Sequence, residues 1–384
     1  MQQNGCDTAA LQRFDPNTSE GPTRDAMAAR VNTAAQAYGR KFYIMYDATG
    51  WTNMATEMPA DWTNKMSAYT SSSAYAHQNG KPVVCIWGFG FNDANHPWDA
   101  ATCLSVVNFF KNQGCYVIGG VPREWRTGTG GSRAGYLGVY HAFNMLSPWM
   151  VGAIATAADS DNAYTTYTVP DEADCTANGI DYQPCVLPGD VSSGTQRAHG
   201  DFMWRQFYNM CRAGVQGIYI SMFDEYGEGN QIAKTAATQA GVPAGSGLLS
   251  LDQDGTACSS DYYLRLTNDG GRMLKGQIAL TATRPTQPTV SGGGTPGTVV
   301  SFRAMANNMI VTADNAGASP LIANRTAVST WESFDLINNS NGTISFRAHA
   351  NNMIVTADNA GASPLIANRT AIGTWEQFTL ITDS

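Results

Sequence analysis

Seven short apolar runs recur along the N-terminal part of the chain, at 7–14, 42–47, 83–89, 116–121, 149–154, 182–189 and 217–224. Runs such as FYIMYD, VVCIWGF and YVIGGV stay apolar at consecutive positions. A strand buried on one face alternates apolar with polar, whereas a strand buried on both faces does not. The second kind belongs to parallel sheets covered by helices. Helical stretches at 22–39, 99–114 and 200–214 separate the runs. The stretch at 99–114 opens on Asp99, a good N-cap, and stops at Gly114, as helices prefer. The expectation is an α/β chain. Its architecture is a (β/α)8-type TIM barrel lacking its first strand, because a closed barrel of this class has eight and the first run follows Met1 almost at once. The runs at 7–14 and 217–224 then flank the gap. An open doubly wound sheet is the alternative. The barrel is preferred because Tyr46, Asp47, Trp87, Trp125, Arg126, Asp190 and Glu225 stand at or just after strand ends. In a barrel such positions converge on one face.

Charged residues make up 14% of the 384, against about 25% in an ordinary domain. Net charge is −8 and no Lys/Arg run occurs, which argues against a nucleic-acid surface or an anionic membrane surface. No stretch approaches the roughly 18 apolar residues of a membrane span. Met1 leads directly into polar QQNGC, without the pattern of a signal peptide. A polar, uncharged, aromatic surface suits work among neutral sugars, and it equally suits any extracellular protein. Of the eight cysteines, Cys85 and Cys211 lie in core-like segments, while Cys103/Cys115 and Cys175/Cys185 flank short loops and are the candidate disulfides. The five histidines show no ligand spacing, so a catalytic metal is not expected, and no cofactor is expected either.

The C-terminal part reads differently. After a last helix at 259–276 comes a Pro/Gly/Thr tether at 282–298, a composition that builds no core. Then SFRAMANNMIVTADNAGASPLIANRT from Ser301 returns as SFRAHANNMIVTADNAGASPLIANRT from Ser345. The 44-residue offset maps Trp331 onto Trp375 and Phe334 onto Phe378. The division expected is a barrel over 1–281, the linker, and an all-β module over 299–384 with repeats at 301–344 and 345–384. The four aromatics are expected in its core.

The strongest chemical signal is 221-SMFDEYGEGNQI-232, which holds Asp224, Glu225 and Glu228 directly after the last run. Glycosidic cleavage needs one carboxylic acid to protonate the leaving oxygen and a second carboxylate as base or nucleophile. Acidic surface loops are also common, and the spacing alone leaves both readings open. The segment resembles the catalytic stretch of glycoside hydrolase families 71 and 99. Phe223, Glu225, Glu228 and Gly229 match the family 99 pattern Phe-Asn-Glu-Trp-x-Glu-Gly-Thr. Tyr226, Gly227 and Glu228 match the family 71 pattern Trp-Asn-Asp-Tyr-Gly-Glu. Further segments resemble the mixed bacterial group of these families, among them 42-FYIMYDATGW-51, 81-KPVVCIWGFGF-91, 118-IGGVPREWR-126 and 180-IDYQPCVLPG-189.

The resemblance implies that Glu228 is the general acid/base and Glu225 its partner, in family 99 a base on the sugar's own 2-hydroxyl. Substrate contacts are assigned to Tyr46, Asp47, Trp87, Trp125, Arg126, Asp224 and Tyr226. Against five of these stands a plainer role: Asp47 as a helix cap, Trp87 and Trp125 as core aromatics, Arg126 in a structural ion pair, Asp224 at a strand end. The tail resembles the fascin-like β-trefoil, whose repeats carry Leu-Ile-Ala-Asn-Arg and Trp-Glu-x-Phe; it supplies two units where a trefoil has three. The function expected is a secreted glycoside hydrolase cleaving an α-linked polysaccharide, α-mannan or α-glucan, with a carbohydrate-binding appendage and possible self-association through the repeats. The alternatives are a non-catalytic glycan-binding protein and a structural adhesin.

Overall fold

The computed structural model describes residues 1–192, 194, 196–289, 299–339, 343–379 and 381. The part of the expected linker at 290–298 therefore lies outside the described residues. The chain divides into two compact units, one made of 1–235, 242–254 and 263–286, the other of 236–241, 255–262 and 287–384.

The first unit is an α/β, TIM-barrel-like domain. Its strands are β1 (Thr8–Arg13), β2 (Lys41–Asp47), β3 (His77–Gln78), β4 (Lys81–Trp87), β5 (Tyr116–Val121), β6 (Met145–Pro148), β7 (Asp181–Tyr182), β8 (Cys185–Val186) and β9 (Tyr219–Ile220). The main sheet runs β1-β2-β4-β5-β6-β7, all parallel, with β3 a short antiparallel arm on β4. Strand β8 pairs in parallel with β9. Gln183 N donates to Leu146 O and Tyr219 N donates to Pro184 O, so β7 and β8 serve as one strand position, bonded to β6 at its start and to β9 at its end. That makes seven positions, in the order read from the apolar runs. Among the described residues β1 pairs only with β2 and β9 only with β8. The sheet curls: Tyr219 on β9 brings its hydroxyl to 3.7 Å from the Met45 sulfur on β2.

The helices are α1 (Gly21–Ala37), α2 (Met54–Asn64), α3 (Ala100–Asn112), α4 (Leu137–Tyr140), α5 (Ala157–Ala163), α6 (Val169–Asn178), α7 (Asp201–Ala213) and α8 (Tyr262–Leu274). The Asp99 carboxylate caps α3, accepting from Thr102 N at 2.7 Å. One buried ionic knot ties β1 and β2 to α1 and α2. Arg13, 2% exposed, donates Nε and Nη2 to the two carboxylate oxygens of Asp61 at 2.7 and 2.6 Å and pairs with Asp25 at 2.8 Å. Tyr46 donates its hydroxyl to the same Asp61 at 2.9 Å.

Several expectations are corrected. The strand sought at 149–154 lies at Met145–Pro148. Met150 and Ile154 leave the sheet and pack with Ala163, Cys185, Leu187 and Phe202; an apolar run looks the same whether it is a strand or a loop folded inward. The run at 217–224 is strand only at Tyr219–Ile220. The candidate disulfides are not formed: Cys103, Cys115, Cys175 and Cys185 are free thiols. Burial raises the Cys103 thiol to about 12 and Cys115 to about 11. Cys85 is buried, but Cys211 is only half-buried.

The second unit is an antiparallel β structure. A five-stranded sheet has the order β10-β13-β14-β15-β16, and β11 pairs with β12. These are β10 (Val299–Val300), β11 (Ile310–Ala313), β12 (Leu321–Arg325), β13 (Phe334–Asn338), β14 (Ile344–Ala348), β15 (Ile354–Thr356) and β16 (Ile366–Arg369). The repeat is visible in register: Thr312 faces Ile322, Thr356 faces Ile366, and each hairpin carries its irregularity one step earlier, at Ile310/Val311 and Ile354/Val355. Phe334 is fully buried and Phe378 packs against the same core. Trp331 and Trp375, expected inside, are 37% and 43% exposed. The neighbouring Glu332 and Glu376 take the inward positions, at 2% and 5%, because each accepts from the backbone N–H three residues before it, at Ser329 and Gly373.

Candidate active site

Because the strands are parallel, their C-terminal ends share one end of the sheet, and Asp47, Trp87 and Trp149 all stand there. Side chains alternate along a strand, so Tyr43, Met45 and Asp47 face one way on β2 and Phe42, Ile44 and Tyr46 the other. The first face looks into a cavity. Tyr43, Trp87, Ser147, Trp149, Gln183 and Tyr219 line it, and among the described residues no charged one does. Trp87 packs at 4.7 Å and 35° against Phe91 and edge-on to Trp149 at 5.3 Å and 76°. Its indole Nε1 is buried and has no hydrogen-bond partner among the described residues. Gly120 makes room for the ring: a Cβ there would lie 2.2 Å from Trp87 Cδ1. Asp47 is buried at the rim, accepting from Gln12 Nε2 at 2.9 Å and from Thr49 N at 2.9 Å.

The chain leaves β9 through a cis Ser221–Met222 peptide into a hairpin. Met222 N donates to Asn230 O, Ile232 N to Met222 O at 2.9 Å, and Ala233 N to Phe223 O at 2.9 Å. The tip at 224–229 therefore projects from the C-terminal end of β9. Glu225 is half-buried there and Glu228 exposed, beside exposed Asp224 and Tyr226. Asn230 donates its Nδ2 to Glu228 Oε2 at 3.2 Å. Asp224, Glu225, Tyr226 and Glu228 thus stand together on one tip.

Three assigned contacts do not line this cavity. Tyr46 points to the helix side, fully buried between Asp61, Trp51 and Phe110. Trp125, 1% exposed, donates its indole N–H to Asp171 on α6 at 3.0 Å and packs against Tyr140 and His141. Arg126 pairs with the same Asp171 at 3.1 Å. Burial raises the Asp171 carboxyl to about 7, against the pull of Arg126 and Trp125. These are structural placements, and for Arg126 the ion pair is the plainer of the two roles weighed. Conversely, Tyr43, Ser147, Gln183 and Tyr219 line the cavity and were not singled out in the sequence. Strand parity carries that signal: adjacent Tyr46 and Asp47 cannot both face the axis, and choosing Asp47 selects Tyr43 with it.

No protein-family model matches the chain, and no curated protein matches it. Solved structures do. The fold is similar to that of the GH99 endo-α-mannosidase from Bacteroides thetaiotaomicron, with a TM-score of 0.53 and 15% identity over 72% of this chain and 81% of that one, in a complex with bis-tris-propane. A second structure of the GH99 endo-α-mannosidase from the same organism gives a TM-score of 0.52 at 15% identity, over 72% of this chain and 79% of that one. At such identity the likeness is one of fold: an α/β barrel-like domain of the kind those enzymes use.

Proposed function

We propose that the chain is a glycoside hydrolase that cleaves an α-linked polysaccharide, α-mannan or α-glucan, with Glu228 as general acid/base and Glu225 as its partner. One observation carries the reading: Glu225 and Glu228 share a hairpin tip at the C-terminal end of the last strand of a domain whose fold is similar to endo-α-mannosidase structures. Barrel enzymes build their sites at that end. Glu228, exposed and held by Asn230, is free to protonate a glycosidic oxygen. Glu225 then acts on the sugar itself, and the resemblance to family 99 points to its 2-hydroxyl. Asp47, Asp224 and Tyr226 remain candidate sugar contacts. Trp87 is a candidate with them through the part of its ring that is not buried.

In the same proposal the C-terminal unit is a fascin-like carbohydrate-binding appendage of a secreted protein. The exposure of Trp331 and Trp375 at equivalent repeat positions favours that role, since exposed aromatic planes suit sugar faces. It equally supports the alternative of a glycan-binding protein without catalysis. Incubation with a panel of α-mannans and α-glucans separates the two. Release of reducing ends from at least one is expected; retardation in affinity gels without release from any would leave binding alone.

A further inference from the structure

The carboxylate hairpin is clamped from below by one arginine. Arg197 is 2% exposed, and its Nη2 donates to the carbonyls of Gly229 at 2.9 Å and Gln231 at 2.8 Å. These two residues bracket Asn230, itself 4% exposed, whose side-chain amide holds Glu228. The backbone at this point has little play. Gly229 has φ +72, and a Cβ there would lie 2.9 Å from Val191 Cγ2. Val191 N also donates to Gly229 O at 3.0 Å. The far side of the guanidinium is held as well: it lies 4.6 Å over the Tyr263 ring, and Tyr263 donates its hydroxyl to Arg197 O at 3.3 Å.

Among the described residues no carboxylate pairs with Arg197, and its Nε and Nη1 are buried without a hydrogen-bond partner. An unpaired buried cation is costly to keep. One nitrogen, Nη2, bridges two carbonyls two residues apart while the guanidinium plane lies over the Tyr263 ring, and lysine, with a shorter reach and no planar group to lie there, does not reproduce both. We propose that Arg197 is a positioning residue for Glu228, acting through Asn230: it fixes both flanks of Asn230 so that the amide presents the carboxyl in one place.

The inference rests on the glycosidase reading, and its test separates the two. On a polysaccharide that the wild type hydrolyses, Arg197→Gln and Asn230→Ala should each lower kcat by about 100-fold, the cost of a misplaced catalytic group. KM should stay within about twofold, because the loss is confined to the transition state. On an aryl glycoside with an acidic leaving group, which needs little protonation, both losses should shrink to about tenfold or less. The double variant should be no worse than either single one, as for residues acting in one chain. Equal losses on the two substrates, or losses that add, would overturn the proposal. Should Arg197→Gln not fold, Arg197→Lys and Asn230→Ala carry the same comparison. If the wild type hydrolyses nothing, the glycosidase reading falls, and hydrogen exchange then decides the clamp. Faster exchange at 222–233 in Arg197→Lys, with the barrel strands unchanged, supports it, and unchanged exchange there refutes it.

Discussion

Asp61→Ala would remove three hydrogen bonds from one buried point: two from Arg13, at 2.7 and 2.6 Å, and one from the Tyr46 hydroxyl at 2.9 Å. What remains is a guanidinium 2% exposed, whose other partner, Asp25, is 36% exposed and shared with Lys65. Breaking a buried pair by removing one partner costs roughly 3–5 kcal/mol. Asp25 keeps the loss near the lower end, and the stranded tyrosine hydroxyl adds about 1 kcal/mol. At about 2–4 °C per kcal/mol for a domain of this size, the melting temperature should fall by roughly 8–20 °C. Tyr46→Phe leaves both guanidinium bonds intact and should cost about 1 kcal/mol, or about 2–4 °C. Calorimetry at one scan rate, beside a hydrolysis or glycan-binding assay, measures both effects. Should Tyr46→Phe abolish sugar binding or hydrolysis without moving the melting temperature, Tyr46 would be a substrate contact after all and the placement argued from strand parity would be wrong. An Asp61→Ala protein as stable as the wild type would show that the knot does not anchor β1 and β2 to their helices.

Three further outcomes are expected. Glu228→Gln should cripple hydrolysis of natural glycans yet spare much of the activity on an aryl glycoside with an acidic leaving group, while Glu225→Gln damages both alike; steady-state rates on the two substrates decide it. Asp171, whose carboxyl burial raises from 3.8 to about 7, favours folding in its protonated form, so that its contribution is fully present below about pH 4 and is lost as pH rises towards 7. Denaturant titrations of the wild type and of Asp171→Asn across that window should diverge, the wild type losing ground as pH rises; parallel curves would refute the shift. Trp331→Ala with Trp375→Ala should weaken retention on insoluble polysaccharide, measured by pull-down, and leave rates on a short soluble substrate unchanged.

Much of the architecture was legible in the order of the residues. Doubly apolar runs such as FYIMYD and YVIGGV require cover on both faces, and that requirement selects a parallel sheet with helices. The 44-residue repeat marked a separate β unit in the same way. The carboxylates of the hairpin tip were legible too, because Asp224, Glu225 and Glu228 crowd into five positions after a strand. Less was legible where several local conformations bury the same side chains. The run at 149–154 is as apolar as its neighbours, but Pro148, which has no N–H to donate, closes the strand before it. Cysteines close in sequence proved unbonded: Cys103 on α3, Cys175 on α6 and Cys185 on β8 are each buried as free thiols.

Composition and periodicity by themselves determined the fold class, the number of strand positions and the end of the sheet at which Glu225 and Glu228 stand, since these follow from burial and chain direction alone. Only the tertiary structure decided which side chains share that end. Trp87 closes β4 and Trp125 follows β5, yet one lines the cavity and the other is bonded to Asp171 on α6. Arg197 is distant in sequence from Gly229 and Gln231, and no local pattern announces it. Its role exists only where a crossing loop brings a guanidinium within 3 Å of their carbonyls, because contact between distant residues is set by packing and not by spacing along the chain.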